Sequence, residues 1–197
     1  MSYEAELREK IEARAAVVGV IGMGYVGLPL AARAAAQGFA VLGFDVSAER
    51  VARLNAGESY IGDVPSEALA PLRAAGRIEA TTDWARMAAC DLLVICVPTP
   101  LNSTRDPDLS YIEAASDEVA RSLRPGQLVI LESTTYPGTT REVVAPRLAA
   151  RGLTLGADYF LAFSPERIDP GQTSSKGFSV ENTPKVVGGG TATCTAL

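Results

Sequence analysis

Histidine is absent from all 197 residues. That absence removes Ser-His-Asp triads, Cys-His pairs and histidine-based zinc sites from the chemistry this chain can perform on its own. Cysteine is scarce, with Cys90, Cys96 and Cys194 only. Their number is odd and no two form a C-x-x-C pair, which fits a reducing compartment better than a secreted disulfide framework. Positive charge is in deficit: 18 Lys and Arg stand against 23 Asp and Glu, a formal charge of −5. A nucleic-acid or anionic-membrane binder would normally show a basic face, so neither is expected as a partner. A membrane span is not expected either. Ala15–Ala32 (AAVVGVIGMGYVGLPLAA) carries no charge, but four glycines and Pro29 interrupt it. The mixed-charge residues before it (YEAELREKIEAR) do not suit a signal peptide. A cytoplasmic chain is expected. Its length corresponds to one domain or one and a half at roughly 150 residues each. Such a chain can bury about 70% of its unfolded surface without a disulfide or metal staple.

What is present is an alternation of apolar runs and helical segments. Tyr3, Leu7 and Ile11 recur every four residues, with Glu4–Arg8 and Glu6–Lys10 at the same spacing, predicting a short amphipathic helix over residues 1–14. Strands are predicted at Ala16–Ile21, Ala40–Phe44, Leu92–Val97, Leu128–Leu131 and Tyr159–Phe163, with a last short one at Val186–Val187. Helices fall between them. One runs from the glycine-rich turn to Gln37, and Ser47 caps the next, which runs out near Gly57. Another runs from Ser66 to Gly76. Two more open on capping boxes, Ser110/Glu113 and Thr139/Glu142, the last kinked or split by Pro146. This rhythm predicts an α/β, Rossmann-like, doubly wound sheet with helices on both faces, occupying residues 15–197. Residues 171–183 are the loosest segment.

Gly22-Met23-Gly24-Tyr25-Val26-Gly27 is a G-x-G-x-x-G placed between a buried strand and a helix. Gly22 permits the tight turn, Gly24 lets a pyrophosphate reach the backbone, and Gly27 lets helix and strand pack closely. The helix N-terminus supplies N–H groups and positive dipole for the phosphates. The fifth position is Val26, which speaks against the G-x-G-x-G of methyltransferases. Asp45 closes the second strand, 23 residues after Gly22, where a carboxylate can take both ribose hydroxyls and repel a 2′-phosphate. Without the glycine motif it would read as a turn or N-cap aspartate. Arg50 could neutralise a phosphate, but the anionic Asp45 would remain, so NAD is favoured over NADP. Val97, Pro98 and Thr99 close and follow the predicted strand at Leu92–Val97, and Ser133 and Thr134 follow the one at Leu128–Leu131, at the sheet edge where open α/β sheets bind ligands. Local pattern alone equally allows ordinary turn residues. Glu166 follows the predicted strand at Tyr159–Phe163 and is an acid/base candidate. Position alone would make it a surface neighbour of Arg167. Cys96 reads as core, Cys90 as near a helix end, and Cys194 as part of a frayed tail.

GMGYVGLPLA, FDVSAERV, ICVPTPL, DPDLSYIEAA, LESTTYPGTT and FSPERIDPG occur in this order. From Val17 to Gly190 the sequence resembles the UDP-glucose/GDP-mannose dehydrogenase family. SYIGDVPSEAL, STTYPGTT and SPERIDPG look most like its UDP-N-acetylglucosamine and UDP-N-acetylmannosamine 6-dehydrogenase members. The resemblance implies two NAD-dependent oxidations that carry the C6 hydroxyl of a nucleotide sugar to a carboxylate, for surface polysaccharide precursors. It implies NAD contacts at Tyr25, Val26, Asp45, Arg50, Thr99 and Thr134. Glu166 matches the family's acid/base glutamate, and Thr134 a threonine near the reacting centre. Arg167 and Ile168 match positions that touch the sugar nucleotide. UDP-glucose enzymes usually carry Phe-Leu there, so Arg-Ile favours an N-acetylated sugar. The family's catalytic lysine, asparagine, cysteine and aspartate, and the helix on which it dimerises, are expected downstream of this sequence, in a homo-oligomeric full-length enzyme. A UDP-glucose 6-dehydrogenase domain, or an NAD-binding module without turnover, are the competing expectations.

Overall fold

The structure, a computed structural model, describes residues 2–101, 105–167 and 183–197. In chain order the elements are α1 (Tyr3–Glu12), β1 (Val17–Ile21), α2 (Gly27–Ala36), β2 (Ala40–Phe44), α3 (Ala48–Asn55), α4 (Ser66–Ala74) and β3 (Ile78–Thr81). A 3-10 turn at Trp84–Ala89 leads to β4 (Leu92–Ile95), α5 (Ser110–Ser122) and β5 (Leu128–Leu131). A π-helical turn (Thr140–Val144) runs into α6 (Ala145–Ala149), followed by β6 (Phe160–Phe163), β7 (Gly188–Gly189) and α7 (Ala192–Ala196). Among the described residues the sheet has seven strands in the order β3-β2-β1-β4-β5-β6-β7. The first six pair in parallel, and β7 runs antiparallel to β6. That order reverses between β1 and β4, which opens a crevice at the carboxyl ends of those strands.

The strands are almost wholly apolar because both faces are covered. On one face Val18, Val20 and Val94 pack with Leu28, Ala31 and Ala35 of α2 and Leu69 of α4. On the other, Leu93, Ile95, Val129 and Leu131 pack with Ile112 and Val119 of α5 and Leu148 of α6. A third cluster joins Leu7 of α1 and Cys194 of α7 to Leu128, Phe160 and Ala162. The amino-terminal helix therefore covers the β5–β6 end of the sheet.

Several local expectations are corrected. Glu4 pairs with Arg8 at 3.1 Å, but Lys10 turns from Glu6 to the buried Asp91, 2.8 Å away. Asp91 also accepts from the Val17 N–H (3.0 Å) and from Arg124 (3.0 Å), a deeper and better satisfied partner than a surface glutamate. Neither capping box forms. The Asp108 carboxylate takes the Ser110 N–H at 2.9 Å, and the Thr139 hydroxyl pairs with that of Thr135 and with the Tyr136 carbonyl. Pro146 has no N–H to give, and the turn before it slips to π geometry, with the Ala145 N–H reaching Thr140. Val186 and Val187 are exposed, and pairing with β6 begins at Gly188 instead. β3 was not predicted, because IEAT offers only one large apolar side chain. Cys194 is not in a frayed tail: it is 2% exposed, with its thiol facing the Leu161 N–H. The loose segment 171–183 lies, save for Thr183, outside the described residues.

Candidate functional site

The crevice at the switch point is a cleft of about 560 Å³, within the 300–1,000 Å³ usual for cofactor and ligand sites. Its floor is the glycine turn. Gly22 has φ +89°, and a Cβ there would lie 2.8 Å from the Cys96 carbonyl, so only glycine fits. A Cβ on Gly27 would lie 1.9 Å from the Gly22 carbonyl oxygen, so the start of α2 packs on bare backbone. Gly24 differs: nothing lies within 4 Å of its missing side chain. Protein packing does not require a glycine there, but a phosphate resting on the backbone would. Tyr25 and Val26 line the cleft beside it. Met23 does not. Its side chain is fully buried, filling the space over Gly43, and it serves the turn through its backbone.

That backbone is fastened from both sides. The Met23 N–H donates to Asp45 Oδ2 (3.0 Å), and its carbonyl accepts from the Tyr60 hydroxyl (2.8 Å). Asp45 Oδ1 accepts from the Ser47 N–H at 2.9 Å, and Arg50 stands 3.5 Å from Oδ2. Arg50 and Arg53 both lie over the Tyr60 ring. Burial, with the Asp45 charge behind it, pushes the Tyr60 hydroxyl up to about 12, so it stays a donor. Asp45 thus orders the turn as well as facing the cleft. Oδ1, with one N–H donor, keeps a lone pair for a hydroxyl ligand.

Beyond Asp45 the wall is made by residues that sequence reasoning missed. Trp84 stacks on Phe44 (centroids 5.9 Å apart), and beside it α5 presents Tyr111, Ala114, Ala115 and Glu118. Their i, i+3, i+4, i+7 spacing is a legible helix face, but nothing local says that it faces a ligand. The other half of the cleft carries Val97, Pro98 and Thr99 after β4, Ser133 and Thr134 after β5, and Glu166 after β6. The Ser133 hydroxyl donates to the Val97 carbonyl (2.7 Å), stitching the two loops together. Thr134 is exposed towards the cleft. Arg167 is exposed, and its N–H donates to Glu166 Oε1 at 2.7 Å. Ile168 lies outside the described residues.

Two further groups were not singled out from sequence. Glu132 is buried under this end of the cleft, and Lys185, which arrives from the approach to β7, forms an ion pair with it. The same ammonium is 3.9 Å from Glu166 Oε2. Burial pushes the Glu132 carboxyl up, while Lys185 pulls against that shift. Burial also drives the neighbouring Cys96 thiol well above its usual value, and raises Cys90 to about 12, so neither is an activated thiolate. Among the described residues no group of three or more His, Cys, Asp or Glu could hold a metal ion, and no helix is long and apolar enough to cross a membrane.

The NAD-binding-domain model of the UDP-glucose/GDP-mannose dehydrogenase family matches residues 16–197. The chain belongs to this family. UDP-N-acetyl-D-glucosamine 6-dehydrogenase of Salmonella typhi is 38% identical over 176 residues, which are 89% of this chain and 40% of that protein. UDP-N-acetyl-D-mannosamine dehydrogenase of Pyrococcus horikoshii is 36% identical over 156 residues, 79% of this chain and 37% of that protein. The solved NDP-N-acetyl-D-galactosaminuronic acid dehydrogenase of Methanosarcina mazei Go1 superposes with a TM-score of 0.84 at 33% identity, covering 100% of this chain and 43% of that one. The chain thus spans about two fifths of the length of the relatives it matches. It is the NAD-binding domain of this family, in a Rossmann-like fold, and its cofactor is NAD. The open cradle at Gly24, the Asp45 carboxylate and the cleft volume all fit that dinucleotide.

Proposed function

We propose that this domain serves a dehydrogenase that oxidises the C6 hydroxyl of a UDP-N-acetyl-hexosamine to a carboxylate. The observation that carries the reading is the position of Glu166. Its carboxylate stands after β6 in the same cleft lining as Thr134, beside Lys185 and across the strands from Asp45. NAD supplies the hydride acceptor. The chain's own residues bind and orient it: Gly24 and the start of α2 take the diphosphate, Asp45 the adenosine ribose, and Thr99 and Thr134 the nicotinamide side. Arg50 stands beside Asp45 as a second ribose contact. Glu166 is placed to hold or move a proton at the sugar hydroxyl. Arg167, with Ile168, supports an N-acetylated sugar rather than UDP-glucose, and the N-acetyl-hexosamine dehydrogenases among the relatives support the same choice.

The second oxidation needs a group to hold an aldehyde, and the buried, unactivated Cys90 and Cys96 do not qualify. The full-length protein supplies it, acting in the cytoplasm as a homo-oligomer without nucleic-acid or membrane partners. The test is NADH absorbance with the full-length protein, NAD and each of UDP-N-acetylglucosamine, UDP-N-acetylmannosamine and UDP-glucose. One N-acetylated sugar should exceed UDP-glucose by about tenfold or more in kcat/KM, since a site built around a polar substituent rejects the analogue lacking it. A preference for UDP-glucose overturns the sugar assignment. The 197-residue chain alone should bind NAD and produce no sustained NADH.

A further inference from the structure

Glu132, Lys185 and Glu166 form a charged trio that dinucleotide binding does not by itself explain. Glu132 is 4% exposed in its side chain, yet it lies at the end of β5 in the cleft lining, not in the core. Lys185 is 53 residues away in sequence and 30% exposed. It bridges the buried carboxylate to Glu166 above it. Among the described residues, the groups facing Glu132 are Lys185, Glu166 and the neutral Cys96 thiol. These charges are held in low-dielectric surroundings at one end of the cleft.

Which end matters. A dinucleotide lies across the switch point, with its diphosphate on the glycine turn and its adenosine ribose at the end of β2. Asp45 occupies the end of β2, so the nicotinamide half lies over β4, β5 and β6, where the trio sits. The oxidised nicotinamide ring carries a positive charge and the reduced ring carries none. A fixed charge at this end therefore acts on one redox form of the cofactor and leaves the other almost untouched. We infer that Glu132 and Lys185 set the relative affinity of the domain for NAD and NADH. Glu132 favours the oxidised cofactor, and Lys185 holds that bias down so that the reduced cofactor can still bind.

The inference rests on NAD binding alone and not on the sugar, and it is tested on this chain. The dissociation constant of NAD is measured by calorimetry and that of NADH by its fluorescence. Glu132→Gln removes a negative charge and should move the NAD:NADH affinity ratio towards NADH by about three- to tenfold. Lys185→Met removes a positive charge and should move it towards NAD by a similar factor. Lys185→Arg keeps the charge and should restore the parent ratio, which a purely structural role would not require. Thermal melting shows whether each variant folds. If Glu132→Gln does not, the less buried Lys185 position decides through its Met and Arg variants. Opposite shifts for Gln and Met, with Arg at the parent ratio, support the inference. Shifts of the same sign, a change in both affinities at constant ratio, or a ratio within twofold of the parent overturn it. So does a chain that binds neither cofactor, and that result would also overturn the cofactor site.

Discussion

Alanine placed at Gly24 and, separately, at Gly27 separates the two jobs of the glycine turn. At Gly27 the new methyl would sit 1.9 Å from the Gly22 carbonyl oxygen and 3.2 Å from Val20 Cγ1. The first contact is about 1 Å short of tolerable, and the obstacle is backbone, which cannot rotate away. Overpacking of this kind costs about 3 kcal/mol at the upper end of its usual range. Alanine regains at most about 1 kcal/mol of helix propensity over glycine at the start of α2. The net loss of about 2 kcal/mol corresponds to a fall in Tm of about 4–8 °C for a chain of this size. At Gly24 the same methyl meets nothing within 4 Å, so Tm should stay within about 1–2 °C of the parent. Its methyl would instead occupy the space where the diphosphate rests, and NAD affinity should fall by about tenfold or more, equivalent to 1.4 kcal/mol. Gly24→Val should deepen that loss with the fold intact. Thermal melts followed by calorimetric titration read both effects. A Gly27→Ala variant that melts with the parent would refute the close approach of α2 to the turn. A Gly24→Ala variant that binds NAD undiminished would show that the diphosphate does not lie on this backbone.

Asp45→Ala should weaken NAD by about tenfold while narrowing the gap to NADP, because it removes both the ribose acceptor and the charge that repels a 2′-phosphate. An unchanged NAD:NADP ratio in calorimetry would take Asp45 out of cofactor selection. Burial works to raise the Asp91 carboxyl, but Lys10, the Val17 N–H and Arg124 outweigh it and hold the group below the usual carboxylate range. Its stabilising contribution is thus full above the unfolded value of about 3.9 and is lost as pH falls through the lower folded value. Melts from pH 6 to 2 should show this loss, and Asp91→Asn should lower Tm at pH 6 and flatten the acid limb. An acid limb as steep as the parent's would contradict it.

The parts of the fold and site that could be read from sequence share one property: the physical demand is local. The glycine turn announces itself because two of its three glycines are forced by contacts within or beside the motif, and the third by its openness. Asp45 is legible because a carboxylate at a strand end, at that distance from the turn, has few other uses. Thr99, Ser133, Thr134 and Glu166 are legible because each follows a predicted parallel strand, and the carboxyl ends of such strands share one edge. Ser47 is read correctly as a cap, its hydroxyl accepting from the Arg50 N–H. The capping boxes at Ser110 and Thr139 fail because a competing partner stands two residues before the first and four before the second. Asp108 offers a charged acceptor to the Ser110 N–H, and Thr135 occupies the Thr139 hydroxyl.

What could not be read depends on chain segments meeting across the sheet. Lys10 has a charged neighbour on its own helix in Glu6, and only the fold reveals that Asp91, 81 residues on, is the better partner. The reason is energetic. An exposed i, i+4 pair is worth a few tenths of a kcal/mol, whereas a buried carboxylate left without its partners would carry a desolvation penalty several times larger. The buried group therefore dictates where the mobile one goes. The same rule places Lys185. Glu132 is fixed by β5 and buried by the loops above it, so it requires a cation. The antiparallel return of the chain towards β7 is what brings one within reach. A strand-end glutamate in an apolar sheet is thus a sequence-level signal in its own right, because it states that a positive group must arrive from elsewhere. What it does not state is the address, and that comes from the reversal of chain direction after β6.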